Sequence, residues 1–397
     1  MEMQLTMSEV NKIKDKEQKK AVNAWAKNNF KGSIIAGTGF GKSRCGVIAV
    51  GETLRRLEPS INKPAGLVLV PTVNLRDQFK EEFIKWGYED VLEFVEFMCY
   101  QTAYKLTGHH YDVVVCDEVH LGLSPKYRKF FKNNIYDRLL CMTATLPEEP
   151  EYKVKLHQLA PTVYKITLDE CVDLGLVAPY EIVCVPVSLT EEEKKEYKKI
   201  NSRFVYWKYH LGPFNAFDEA KRIMGDKNAT SAEKQASHQF YKSIRDRKAI
   251  VDSAENKIEE VKKIVIKNLD TKMLAFSGSN AFTDRICASN EPLAVTYHSG
   301  KTKKKREEAL KSFREEDSIQ LLCSTKALNQ GLDVPDASVG IICGLTSKAL
   351  SMIQRVGRLI RFQEDKEGKI YVLYVKDSQE EKWLKSSVKN LKNITWL

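Results

Sequence analysis

Short apolar runs punctuate the first 145 residues: GSIIAG (32–37), GLVLVP (66–71), YDVVVCDE (111–118) and RLLCMTAT (138–145). Each is rich in β-branched residues and apolar at successive positions, the pattern of strands buried on both faces of a parallel sheet. Between them lie stretches such as TVNLRDQFKEEFIKWG (72–87), whose apolar residues return at helical spacing. Strand–helix alternation predicts a doubly wound α/β domain over residues 1–168. The alternation resumes near 270 with KMLAFSGS, LAVTYHSG, IQLLCSTKAL, VGIICG and KIYVLYV. YEIVCVPVSL (180–189) reads as an early strand of this second α/β half, taken as 169–397. The stretch from about 190 to 262 departs from the pattern. It is helical in periodicity and nearly free of strands, with 16 basic and 13 acidic residues. So balanced a charge describes a solvated helical insertion more simply than a dedicated nucleic-acid grip. Its aromatic segment FVYWKYH (204–210) either packs against the second domain or stacks on bases. KTKKKREE (301–308) opens a helix, as a solvated face or a phosphate contact.

Composition narrows the picture modestly. With 397 residues and 43% hydrophobic content, the chain can bury two or three ordinary cores. A formal charge of +10 suits a polyanionic partner without requiring one. Nine cysteines, none in a CxxC pair, argue against structural zinc or a disulfide framework and fit a reducing compartment. No apolar run nears the roughly 18 residues of a membrane span. No apolar signal core stands in MEMQLTMSEVNKIKDKEQ, so a soluble cytoplasmic protein without membrane contact is expected.

The candidate chemistry begins at IIAGTGFGKS (34–43). Phosphate oxygens need converging backbone N–H groups, and glycines let the backbone come close at a helix start. Gly37, Thr38, Gly39 and Gly41 would form that loop, Lys42 would reach the outer phosphates, and the Ser43 hydroxyl would ligate Mg2+. Ala36 stands where the strict pattern has glycine. A second piece is YDVVVCDEVH, a strand ending in Asp117 and Glu118. NTP hydrolysis needs one carboxylate to hold Mg2+ through water and another to activate the attacking water. A third is SMIQRVGRLIR (351–361), whose Arg358 and Arg361 share a helical face. By spacing alone these arginines describe a solvated basic helix.

Together these segments resemble the superfamily 2 helicases and translocases, in order over nearly the whole chain. AGTGFGKS is similar to motif I, which often begins with Ala in that family. VPTVNLRDQF (70–79) resembles motif Ia, YQTAYKL (100–106) motif Ib, DEVH (117–120) the DEAH-type motif II, and TAT (143–145) motif III. FSGS (276–279) sits where motif IV belongs, STKALNQGLDVPDAS (324–338) resembles motif V, and QRVGRLIR (354–361) motif VI. The resemblance implies two tandem RecA-like domains that hydrolyse ATP with Mg2+. In that arrangement Gln18 contacts adenine, Lys42 and Ser43 bind phosphate and metal, Asp117 holds Mg2+ through water, and Glu118 is the base. Gly331 and Asp333 would approach the nucleotide from the second domain. Arg358 and Arg361 would be arginine fingers. His120, Thr143, Thr145 and Gln354 would couple ATP state to the nucleic-acid path. That path would run past Thr72, Arg76, Gln101 and Thr102 in the first domain and Ser277, Gly278, Ser299 and Thr325 in the second. For each of these a cap or turn residue is the equal alternative. Backbone contacts of this kind imply little sequence preference and strong salt dependence.

Motif VI lacks the second glycine of the DEAD-box form and looks more like XPB-type and phage UvsW-type helicases, as does GLVAPYEIVCVPVSLTEEEKKEY (175–197). The implied activity is an ATP-dependent DNA helicase or translocase acting on single-stranded, duplex or branched DNA. A phage-encoded monomer that works with partner proteins is the matching expectation. An RNA helicase and the motor subunit of a larger DNA-processing complex are the alternatives. Two residues depart from the family: Val119 replaces Ala or Cys in motif II, and Phe40 stands where a small residue is common. Phe40 either packs beneath the loop or shields the nucleotide.

Overall fold

A computed structural model of the chain describes residues 7–37, 39–57, 65–144, 150–176, 179–325, 337–346, 368–389 and 391–397. Its first α/β unit contains α1 (Met7–Lys27), β1 (Lys31–Ala36), α2 (Lys42–Leu57), β2 (Gly66–Val70), α3 (Val73–Lys85) and β3 (Val95–Cys99). It continues through α4 (Tyr100–Ala103), β4 (His110–Cys116), α5 (Lys129–Asn133), β5 (Ile135–Thr143), α6 (Pro150–Leu159), β6 (Thr162–Ile166) and α7 (Leu168–Asp173). The strands pair in parallel in the order β3-β2-β4-β5-β1-β6. Side chains alternate across this sheet. Ile34, Val68, Val115 and Met142 face a core shared with Phe79 and Phe83 of α3. Ile35, Leu69, Val114 and Cys141 face a second core with Tyr100, Phe130 and Leu156.

The second unit begins with β7 (Tyr180–Val187). After a long helical stretch come β8 (Lys272–Phe276), α12 (Asn280–Ser289), β9 (Ala294–Tyr297), α13 (Lys303–Glu315), β10 (Leu321–Ser324), β11 (Ala337–Ile342) and β12 (Gly368–Val375). The helix Gln379–Val388 and β13 (Ile394–Trp396) complete it. All pairings are again parallel, in the order β13-β7-β12-β11-β8-β10-β9. The chain is therefore two parallel-sheet α/β domains in tandem. Helix α7 of the first meets the second where Tyr180 Oη donates to Asp169 at 2.7 Å and Lys392 pairs with Asp173 at 3.0 Å.

Strands β3, β6 and β13 lie outside the apolar runs read from the sequence. They are sheet edges, half-exposed, and carry residues such as Glu96 and Lys165 that interrupt the buried pattern.

The charged stretch divides in two. Helices α8 (Glu191–Leu211), α9 (Ala216–Gly225) and α10 (Ser231–Asp252) form a small three-helix body. Its own core contains Leu211, Ala216, Ile223, Ala236 and Phe240. Matching capping boxes start α8, between Thr190 and Glu193, and α10, between Thr230 and Glu233. Helix α11 (Glu255–Lys267) instead sends Ile258, Val261 and Val265 into the core of the second sheet. Within FVYWKYH, Phe204 stacks on Phe240 at 5.6 Å and Trp207 joins the core of the insertion, while Tyr206 and Tyr209 are exposed.

A buried ion pair ties α11 to the helix Gln379–Val388. Lys257 Nζ donates to both carboxylate oxygens of Glu380 at 2.9 Å and to the Cys343 carbonyl at 2.8 Å. Glu380 Oε2 also accepts from Val375 N at 2.9 Å, and both charged side chains are fully buried.

Candidate active site

Strands β4, β5 and β1 are consecutive neighbours in the first sheet and run parallel, so their C-terminal ends meet at one edge. That edge of an open α/β sheet is where ligands bind. It carries the loop 37–43, the segment 117–120 and Thr143. Thr38 and Thr145 lie outside the described residues.

The loop has the conformation its glycines permit. Gly39 and Gly41 take φ of 94° and 81°, a region that residues with a Cβ rarely enter. A Cβ on Gly41 would also sit 2.4 Å from Gln18 Nε2. Helix α2 starts at Lys42, so first-turn N–H groups, which have no intrahelical acceptor, face the loop. Lys42 Nζ donates to the Ala36 carbonyl at 2.8 Å, across the mouth of the loop. Phe40 is fully buried among the first-domain core, with Tyr164 at 5.8 Å between ring centroids. It supports the loop from beneath.

Gln18, on α1, is bound to this loop rather than open. Its Nε2 donates to the carbonyls of Phe40 at 2.7 Å and Gly41 at 3.2 Å, and its Oε1 accepts from Arg44 at 2.7 Å. Arg44 went unnoticed in the sequence. It also pairs with Asp15 and lies 4.1 Å from the centroid of Trp86, bracing the first turn of α2. Its position directly after Ser43 was the available signal.

Opposite the loop, the two carboxylates have unlike surroundings. Glu118 takes a positive φ of 48°. Its Oε2 accepts from Thr143 Oγ1 at 3.2 Å and lies 3.3 Å from His120 Nδ1, which is itself 3.3 Å from Thr143 Oγ1. Burial raises the pKa of the Glu118 carboxyl, but His120, Lys42 and the Thr143 hydroxyl outweigh it and hold the group below its ordinary range. Burial and the adjoining Glu118 charge push Asp117 up to about 7. Tyr100, in the segment read as motif Ib, fixes this turn by donating to the Asp117 carbonyl at 2.8 Å. Val119 is fully buried in the second core of the sheet, where its side chain fills space without touching the carboxylates' hydrogen bonds.

The residues read as nucleic-acid contacts cluster at the same edges. Thr72 caps α3 by accepting from Leu75 N at 3.4 Å, and Arg76 pairs with Asp77 at 3.0 Å. Gln101 reaches the Pro71 carbonyl at 3.2 Å, and Thr102 is exposed beside it. In the second sheet β8, β10 and β9 are neighbours, and Ser277, Gly278, Ser299 and Thr325 follow their C-terminal ends. Gly278 and Ser299 are exposed. Ser277 is buried, its hydroxyl shared with Thr283 at 2.6 Å, and Thr325 is also buried, so these two serve the turns that carry their neighbours. Gly331, Asp333, Gln354, Arg358 and Arg361 lie outside the described residues. Among the described residues, no helix is long and apolar enough to cross a membrane.

The family model for the Type III restriction enzyme res subunit matches residues 12–148, and that for the helicase conserved C-terminal domain matches residues 256–363. A DNA 3'-5' translocase XPB2 of Sulfurisphaera tokodaii is 29% identical over 93% of this chain and 84% of its own. A DNA 3'-5' helicase XPB of Mycobacterium tuberculosis is 23% identical over 92% of this chain, which spans 61% of that relative. The crystal structure of the Pyrococcus furiosus Hef helicase domain superposes with a TM-score of 0.55 over 93% of this chain and 97% of that one, at 16% identity, a likeness of fold. With two helicase-family matches in order, the chain is an ATP-hydrolysing superfamily 2 helicase or translocase, similar along nearly its whole length to an XPB translocase.

Proposed function

We propose that the chain is an ATP-dependent DNA helicase or translocase that moves on or remodels DNA with little sequence preference, in the 3'-5' direction named for its XPB relatives. The observation that carries the chemistry is the unlike pair Asp117 and Glu118 facing the glycine loop. The loop and the first turn of α2 would cradle the phosphates, with Lys42 leaving the Ala36 carbonyl to meet them. The site fits a divalent cation: a carboxyl pushed up by burial and a neighbouring charge is one that an added positive charge would ionise. Ser43 and Asp117 would hold Mg2+, which when bound neutralises charge on the phosphates. Glu118, kept ionised by its partners, accepts the proton of the attacking water. His120 and Thr143 report that event toward the edge where Gln101 and Thr102 stand. Arg358 and Arg361, from the second domain, would stabilise transition-state charge, with Gln354, Thr145, Gly331 and Asp333 completing the contact between domains. Gln18 and Thr38 would contact the nucleotide once it occupies the loop.

The steady-state ATPase rate with single-stranded, duplex and forked DNA and with RNA, at two salt concentrations, tests the reading. Stimulation by DNA over RNA that weakens as salt rises is the expected result. Stimulation by RNA alone would overturn it.

A pH dependence follows from Asp117. Below about pH 7 this carboxyl holds a proton that a cation must displace, whereas Glu118 stays ionised through that range. The Mg2+ concentration for half-maximal hydrolysis should therefore be about tenfold higher at pH 6 than at pH 8, after correction for protons bound by ATP itself. Equal half-saturation at both pH values would argue against Asp117 as the metal-holding group.

A further inference from the structure

The foot of α10 grips the second domain beside the strand exit that leads to the proposed arginine fingers. On one turn of α10, Arg247 Nη2 donates to Gln379 Oε1 at 3.0 Å, and its guanidinium lies 4.2 Å from the ring centroid of Phe204 in the insertion. The next residue, Lys248, donates to the Leu345 carbonyl at 3.2 Å and pairs with Asp252. Asp252 in turn lies against the turn after β8: a Cβ on Gly278 would fall 2.8 Å from its Oδ2. Its other oxygen, Oδ1, is buried without a hydrogen-bond partner among the described residues.

The strand exit is itself tightly seated. A Cβ on Gly344 would stand 2.6 Å from the Gly278 backbone nitrogen, so the two turns touch through bare backbone. Two lysines hold the carbonyls on either side of Gly344, Lys257 at Cys343 and Lys248 at Leu345. They differ in one respect. Lys257 is fully buried and locked to Glu380, a permanent anchor, whereas the Lys248 side chain is 34% exposed. Its bond to Leu345 can exchange with water at small cost. Helix α10 has 22 residues, so it spans about 33 Å and multiplies a small tilt at the insertion into a displacement at its foot.

We propose that Lys248 is a positioning residue that couples the helical insertion to the segment bearing Gln354, Arg358 and Arg361. It holds the Leu345 carbonyl from the foot of α10, and tilting α10 resets the direction in which the chain leaves β11. The inference rests on the DNA-stimulated ATPase reading above. It gives the insertion a mechanical role that needs no base contact by its aromatic residues.

The test uses the full chain with Lys248→Met, which keeps the stem of the side chain but removes its donor, and with Lys248→Arg, which restores a donor. ATPase rates are measured without DNA and with saturating forked DNA, together with the DNA dissociation constant. In Lys248→Met the DNA-stimulated kcat should fall about tenfold, while the unstimulated rate, KM for ATP and DNA affinity stay within about twofold of the parent. Lys248→Arg should recover most of the stimulation. A stimulated kcat equal to the parent's, or an equal fall in stimulated and unstimulated rates, would overturn the joint. A parent protein stimulated by no polymer at all would overturn the function reading, and the joint with it.

Discussion

Glu118→Gln should lower kcat for ATP hydrolysis by about 1,000-fold while ATP binding stays within a few-fold of the parent. The amide keeps the size of the side chain and an oxygen to accept from Thr143, so the turn at residue 118, with its positive φ, is preserved. What is lost is the proton acceptor. His120, Lys42 and the Thr143 hydroxyl hold the carboxylate ionised, whereas the neutral amide in its place takes no proton from water. Lys42→Ala should differ by weakening ATP binding together with turnover. Single-turnover hydrolysis and equilibrium titration with a fluorescent ATP analogue separate the two effects. A folded Glu118→Gln protein with near-normal kcat would remove Glu118 from the role of base.

Lys257→Met should destabilise the second domain by about 3–5 kcal/mol, the largest stability effect expected in the chain. The charge it leaves behind, Glu380, is fully buried and bonded to the backbone of the strand end at Val375. Burial already raises the Glu380 carboxyl against the pull of Lys257, so without the lysine the group must take up a proton or water must enter. Lys257→Met combined with Glu380→Gln should recover much of the loss, since the amide still accepts from Val375 N. Urea unfolding followed by tryptophan fluorescence measures both variants. A loss below about 1 kcal/mol in Lys257→Met would show that the pair is not the anchor described.

Much of this was legible in the sequence, because buried parallel strands leave a dense apolar signature. β1, β2, β4 and β5 each stand in a run that could be read directly, and topology then brings Gly37, Asp117 and Thr143 together. Edge strands β3 and β6 escaped because half-exposed strands carry Glu96 or Lys165 where buried ones carry Val. Periodicity showed α8, α10 and α11 as similar charged helices. Only packing distinguished α11, whose apolar stripe covers a sheet, from α8 and α10, which cover each other. Gln18 was visible as a residue type in the right place, but its bonds to the Phe40 and Gly41 carbonyls depend on loop geometry that no local pattern encodes. Lys257 and Glu380 are 123 positions apart, so their pairing is a property of the fold alone.

The insertion begins and ends at one place. Leu189, Val251, Ala254 and Val375 form a single apolar cluster, Asn256 donates to the Ser188 carbonyl at 2.7 Å, and the Glu255 N–H donates to Glu193 at 2.9 Å. To the folding chain, residues 190–253 are thus a closed excursion. Helix pairs with local contacts form in microseconds, well before a parallel sheet with distant partners assembles. Once α8 and α10 have paired, their stitched ends shorten the effective loop between β7 and β8, and so lower the entropy lost in bringing the sheet together. The part of the molecule that looks most like an appendage would then be the part that folds first and sets the register for the rest.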